Sequence, residues 1–422
     1  MNTQLAAAFL LLITGLTPAP TNAQEASAEA TQYLDAALAE LEKSSRVYST
    51  DWKALRETAR ATIAAAGATT TADTYPALRA ALVTLGDRYG LLLDPAAAKL
   101  FNLPRATKGT GLLVVPPDGI VAQIVPGSPA AAAGLALGDR IVGVEGLTGF
   151  GELSRREFDR LFKSGLRPDG SAAPLALSVR TGSAKPRAVE VPLASFDEYL
   201  PPLGRRLDGD IGYLELPSVS SGPKATTYAE TVHQLLGEFD DGALRGFIVD
   251  LRRNTGGSMW PLLASMGPLL GNGKAGAFVS SMGGADWGYN EELGAAVSEG
   301  YELLKVTEPF PVRDDLPVAV LTSPLTASFG EAIAVGFAGR AGTRRFGEST
   351  RGVTYSSTQV ALADGAQLVL TVTVMADRTG QRYENALAPD ETVATDWTRF
   401  GTADDPVLAA ASRWLATAGH TK

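Results

Sequence analysis

The chain has 422 residues, 45% hydrophobic and 20% charged, which permits two or three globular domains with a large core. A net charge of −9 with no extended basic run argues against a partner held through nucleic-acid phosphates. Cysteine is absent and histidine occurs only as His233 and His420. That excludes disulfides, thiolate catalysis and cysteine zinc sites and disfavours a multi-histidine centre, so neither metal nor cofactor is expected.

Residues 1–23 carry no charged side chain, and residues 5–16 are nearly all apolar. With small Ala23 as a possible cleavage point, they read as a secretory signal peptide, too short to span a membrane comfortably. Export without disulfides suits a bacterial periplasm or secretion to the exterior.

Residues 24–106 read as a helical domain. Leu34, Ala37, Leu38 and Leu41 recur at i, i+3, i+4 and i+7, and Trp52, Leu55, Ala59 and Ile63 repeat the pattern. A third helix is predicted over 75–85, stopped by Gly86.

Residues 107–196 change character. A glycine loop at 108–112 leads into a strand, and further strands are predicted over 120–125, 174–180 and 188–193. The ordered set Gly127-Ser128-Pro129-Ala130, Ala133-Gly134-Leu135 and Gly138-Asp139 resembles the PDZ family. That resemblance implies that an extended peptide is added as a strand and that its C-terminal carboxylate is held by backbone amides of the loop, at Gly109, Gly111 and Leu112.

Residues 205–400 read as an α/β core. Strands are predicted over 211–216 and 246–251, with helices over 226–239 and 259–270. Residues 272–312, rich in glycine and aromatics, read as a long excursion near the site. A strand over 316–321, a turn at Thr322-Ser323-Pro324, and a helix to about Arg340 form the central unit, followed by β-rich residues 344–346 and a hairpin across Asp364-Gly365. Repeating β-then-α units predict a mainly parallel sheet. Residues 401–422 form a closing helix and tail, with His420 frayed, and His233 reads as a packing or solvent histidine.

Ser328 lies where the strand–turn–helix unit changes direction. The first N–H groups of a helix are unpaired and favour developing negative charge, so this serine is a candidate nucleophile. The bland alternative is that Ser328-Phe329-Gly330-Glu331 is only a capping box. A second glycine turn, Asn254-Thr255-Gly256-Gly257, follows the 246–251 strand.

The order of motifs is helical segment, PDZ-like stretch, Gly212-Tyr213-Leu214, Asp250-Leu251-Arg252 with Asn254 and Gly256-Gly257, then Thr326-Ala327-Ser328 and Gly347-Glu348. It resembles the C-terminal processing (tail-specific) serine peptidases, including the branch related to the tricorn protease core. The resemblance implies a ClpP/crotonase-like peptidase core, Ser328 as nucleophile, and the N–H groups of Gly257 and Phe329 as oxyanion donors. The family bases are replaced: Val353 stands where the tail-specific branch has lysine, and Tyr89 where the tricorn branch has histidine. Glu384, ahead of Pro389-Asp390, matches the tricorn branch's orienting glutamate with a one-residue slip. Ser221 and Lys224 form a Ser-x-x-Lys match, but Gly222-Pro223 between them argues against a helical turn.

Two functions follow from this reading. One is an exported serine endopeptidase acting on peptide or protein substrates, read through their C-termini. The other is a pseudopeptidase that binds peptides or serves as an adaptor. A lipase-like hydrolase is disfavoured because no Gly-x-Ser-x-Gly elbow is present.

Overall fold

The computed structural model describes residues 25–104 and 106–418, so the signal-peptide reading of residues 1–23 and the reading of His420 lie outside the described residues. The chain divides into two compact units, Met1–Ala98 with Gln359–Leu370, and Lys99–Thr358 with Thr371–Lys422.

The first unit is built on helices Ala28–Ser44, Trp52–Ala65 and Tyr75–Leu85. Ser27 and Asp51 cap the first two by accepting N–H groups of the first turn. Gly86, at φ 81°, closes the third in the left-handed region. The predicted apolar faces meet: Leu34, Leu38, Leu41, Leu55, Ile63 and Leu82 form one buried core. Strand Leu91–Leu93 pairs antiparallel with residues 367–369, and Leu368 and Leu370 join the same core. Asp364 in the hairpin turn accepts the hydroxyls of Tyr33 at 2.7 Å and Tyr75 at 2.5 Å.

In the second unit, five antiparallel strands are ordered Leu112–Val115, Ile120–Ile124, Arg140–Val144, Leu175–Arg180 and Arg187–Val191. Helix Arg155–Ser164 starts at a Ser154/Glu157 capping box and buries Phe158, Leu161 and Phe162 in that layer's core. Strand Leu112–Val115 is at the sheet's edge.

A six-stranded sheet carries the peptidase-like core, ordered Glu391–Thr392, Thr343–Gly347, Val318–Thr322, Gly246–Asp250, Ile211–Glu215 and Leu203–Leu207. Every neighbouring pair is parallel except the last. The central strands read as unbroken apolar runs because both faces are covered. Val318, Val320, Phe247 and Val249 pack towards helices Lys224–Phe239, Met259–Leu270 and Phe329–Phe337. Ala319, Leu321, Ile248 and Tyr213 face Leu408, Ala411 and Leu415 of helix Pro406–Ala418.

Residues 272–312 differ from expectation. They form an antiparallel meander of strands Gly273–Ser280, Gly283–Asn290, Ala295–Ser298 and Tyr301–Lys305. Glycine and alanine have low strand propensity, so sequence alone disfavours strands here. Packing overrides it: Ala275, Trp287 and Ala296 are buried against the helical face of the core.

Candidate active site

The site is built from loops at the C-terminal ends of the parallel strands, where open α/β sheets leave a crevice. Asn254 ties three of these loops. Its side-chain amide donates to Leu216 O at 2.9 Å, its Oδ1 accepts the Gly256 N–H at 2.9 Å, and its main-chain O accepts the Ala327 N–H at 3.0 Å. The turn after Val318–Thr322 is fastened to the same loop. The Ser323 hydroxyl donates to Arg252 O at 2.6 Å and the Thr326 hydroxyl to Leu251 O at 2.8 Å. Arg252 is fully buried between Asp250 and Asp405, at 2.6 and 2.7 Å, so the base of the loop is fixed by a closed ion triad.

Ser328 is half-buried at the N-cap of helix Phe329–Phe337, with φ 53°. A non-glycine residue at positive φ is uncommon and carries local strain, typically at functional sites. A Cβ on Gly256 would lie 2.8 Å from Ser328 Cβ, so only glycine lets the 254–257 turn come this close. Gly257 is exposed, at φ 120°, with its carbonyl neighbour Val219 behind it. Ser258 N–H donates to Val219 O at 2.6 Å, whereas the N–H groups of Gly257 and Phe329 have no protein acceptor among the described residues. The Phe329 N–H follows the serine directly, and the Gly257 N–H belongs to the glycine turn packed against it. No titratable side chain hydrogen-bonds Ser328 Oγ among the described residues.

Glu331 does more than cap a helix. It is fully buried. Oε2 accepts the Ser328 N–H at 2.8 Å and the Val353 N–H at 2.7 Å. Oε1 accepts the Thr350 hydroxyl at 2.5 Å and the Gly352 N–H at 2.7 Å. Burial pushes its pKa above the ordinary glutamate value despite these four donors. This carboxylate fastens the Ser328 backbone to the loop segment that carries Thr350, Gly352 and Val353. Sequence reading found the cap but not this role, and the Asn254 brace was also missed. The signals available were only the Ser-x-x-Glu spacing and an asparagine before two glycines.

Glu384 follows strand Arg382–Tyr383 and is half-buried. The residues after it lie against the same 350–354 segment: the Leu387 N–H donates to Thr350 Oγ1 at 2.9 Å, and the Thr350 N–H to Leu387 O at 3.0 Å. Tyr89 belongs to the first unit and Ser328 to the second. Lys224 is engaged by Asp197 at 2.6 Å and lies 4.5 Å over the Tyr199 ring.

A groove of about 1060 Å³ runs from the PDZ-like loop to the site's edge. Its lining includes Gly111, Leu112 and Leu113 at one end and Ser218, Arg253 and Thr255 at the other. In the loop, the Gly109 N–H already donates to Ala194 O at 2.9 Å and the Leu112 N–H to Thr110 Oγ1 at 3.1 Å. The Gly111 N–H has no protein acceptor among the described residues. The PDZ-like layer touches the 323–328 loop directly. Leu113 and Val115 pack with Leu325, Trp397 and Phe400. Arg155 donates to Pro324 O at 3.4 Å, and Arg351 bridges to Asp159 at 2.8 Å while its N–H donates to Thr326 O at 2.8 Å. Among the described residues no cluster of three His, Asp or Glu side chains could hold a metal, and no helix is long and apolar enough to cross a membrane.

Residues 210–393 match peptidase family S41. Over 317 residues, 71% of this chain, it is 27% identical to the chloroplastic carboxyl-terminal-processing peptidase 2 of Arabidopsis thaliana, covering 56% of that protein. Over 198 residues, 46% of the chain, it is 28% identical to the nisin-resistance protein of Lactococcus lactis subsp. lactis, covering 60% of that protein. The matches thus span less than two thirds of these relatives' length. The solved photosystem II D1 C-terminal processing protease shares the fold with a TM-score of 0.55 at 22% identity, over 87% of this chain and 94% of that one. With its motifs in the same order, the chain carries a peptidase family S41 match over its core, residues 210–393, with a PDZ-like region ahead of it.

Proposed function

We propose that the protein is an exported serine endopeptidase that takes substrate C-termini in its PDZ-like groove and cleaves with Ser328, on a ClpP/crotonase-like core. One observation carries this reading: a strained serine at a helix N-terminus faces a glycine turn, with the Phe329 and Gly257 N–H groups both lacking a protein acceptor among the described residues. Attack by Ser328 Oγ forms the Oγ–C bond and moves the carbonyl electrons onto oxygen. The two N–H groups stabilise that oxyanion, each contributing about 3 kcal/mol. The Oγ proton passes to a base and then to the departing amine, and water completes hydrolysis of the acyl-enzyme. Glu384 is the favoured base or its orienter, with Tyr89 the second candidate.

A fluorophosphonate probe tests the site, since its adduct mimics the tetrahedral intermediate. Ser328 is expected to label slowly and specifically, and Ser328→Ala to abolish labelling. Glu384→Gln should slow it more than Tyr89→Phe. The pseudopeptidase reading rests on the same geometry: among the described residues no titratable side chain hydrogen-bonds Ser328 Oγ, and Val353 and Tyr89 stand where the family has its bases. A folded protein that binds peptides but never labels, at any pH, decides for that reading. Export predicts that protein recovered outside the cytoplasm lacks about 23 residues by intact mass.

A further inference from the structure

The groove is positively charged on an acidic chain. Seven cationic side chains line it against three carboxylates, although the chain's net charge is −9. Some of these cations are neutralised: Arg351 pairs with Asp159, and Lys224 with Asp197. At the PDZ-like end the excess persists. Among the described residues no carboxylate pairs with Lys108, Arg156 or Arg160.

Arg156 and Arg160 stand four apart on helix Arg155–Ser164, hence on one face. Arg156 donates to Phe101 O at 2.9 Å, and Arg160 to Leu100 O at 2.5 Å and Phe101 O at 3.0 Å. Arg156 also lies 3.6 Å over the Phe101 ring. These contacts hold the guanidinium groups in place without cancelling their charge, and leave further N–H donors unused. Burial, with the nearby Arg160 and Arg351 charges, holds Arg156 below the ordinary arginine value, as a crowded cationic field would. Lys108 is exposed on the glycine loop. Strand Leu112–Val115 has a sheet neighbour on one side only, so an added peptide strand has an edge to pair with in this groove.

Resting on the reading that the groove takes a substrate tail, we propose that it selects tails with acidic side chains just upstream of the C-terminus, through Lys108, Arg156 and Arg160. Alternate side chains of an added strand point to opposite faces, so two consecutive acidic residues guarantee that one faces the arginines.

The test uses the full mature chain with Ser328→Ala, to prevent turnover. Binding is read by fluorescence anisotropy for three labelled peptides with the same free apolar C-terminus and Glu-Glu, Gln-Gln or Lys-Lys before it. The Glu-Glu peptide is expected to bind roughly five- to tenfold tighter than Gln-Gln, the size of one or two solvent-screened ion pairs, with Lys-Lys weakest. Added salt should shrink the ratio. Lys108→Glu, a change at an exposed side chain, should reduce it. Adding Arg156→Gln, which keeps an amide donor for Phe101 O, should reduce it further, to the part that Arg160 alone supports. Equal binding of the three peptides, with Gln-Gln bound, overturns the charge selection alone. A Glu-Glu preference that both substitutions leave undiminished also overturns it. Failure of every peptide to bind overturns the groove reading and this inference with it.

Discussion

Gly257→Ala probes the proposed oxyanion hole with one methyl group. At φ 120° an L residue is strained by about 1–3 kcal/mol. The new Cβ would also lie 2.1 Å from Val219 O and 2.9 Å from its carbonyl carbon. Ordinary contact needs about 3.5 Å, so the turn or the Val219 segment must yield by roughly an ångström. Val219 is not free to move alone, because its carbonyl accepts the Ser258 N–H at 2.6 Å. The Gly257 N–H is therefore displaced, and misplacing a catalytic group by an ångström costs about 100-fold. Loss of one oxyanion donor predicts the same range, about 100- to 1,000-fold. The assay is the second-order rate constant for fluorophosphonate labelling of Ser328, with urea denaturation to confirm folding. Gly222→Ala is the control: it sits at φ 136° with nothing within 4 Å of a Cβ, so it carries the backbone strain without the collision. Labelling of Gly257→Ala at the wild-type rate, or equal slowing by Gly222→Ala, would refute the assignment of this N–H to the oxyanion hole.

Three further outcomes are expected. Glu331→Gln turns an amide NH₂ towards donors; its least costly orientation lets the Thr350 hydroxyl rotate to accept but strands the Gly352 N–H, costing about 1–3 kcal/mol in urea unfolding and slowing Ser328 labelling. His233 is buried, with Nδ1 accepting the Phe310 N–H at 2.8 Å and Nε2–H donating to Ala264 O at 2.9 Å, and burial holds its pKa below 6.5. The unfolded chain then binds the extra proton first, so its contribution to stability is lost as pH falls from about 6.5 through the depressed folded value. Comparing melting temperatures of wild type and His233→Gln across that range isolates the effect, and parallel curves would count against it. Peptides with a free apolar C-terminus should bind the full chain more tightly than amidated ones, as fluorescence anisotropy would read, and equal binding would exclude a carboxylate contact.

Local chemistry made much of the fold legible. The 3.6-residue periodicity around Leu34 and Leu55 marked the first helices. The unbroken apolar runs at 246–251 and 316–321 marked strands buried on both faces, and Asp364-Gly365 marked a hairpin turn. Ser328 and Gly257 were legible as candidates because a serine before a helix and a glycine pair after a strand are local signals. The meander over 273–305 was not, since its glycines and alanines become strand residues only through packing around Trp287. Nor could sequence reveal that Glu331 binds four donors drawn from residues up to 22 positions away, or that Asn254 joins three strand ends. The cationic excess in the groove is equally non-local. Lys108, Arg156 and Arg160 are scattered through an acidic chain, and only folding the helix across the glycine loop brings their charges to one face. Propensity and periodicity act over a few residues and are written in order along the chain. Hydrogen-bond closure of a buried carboxylate and the field in a groove depend on distances in space, which the tertiary structure alone fixes.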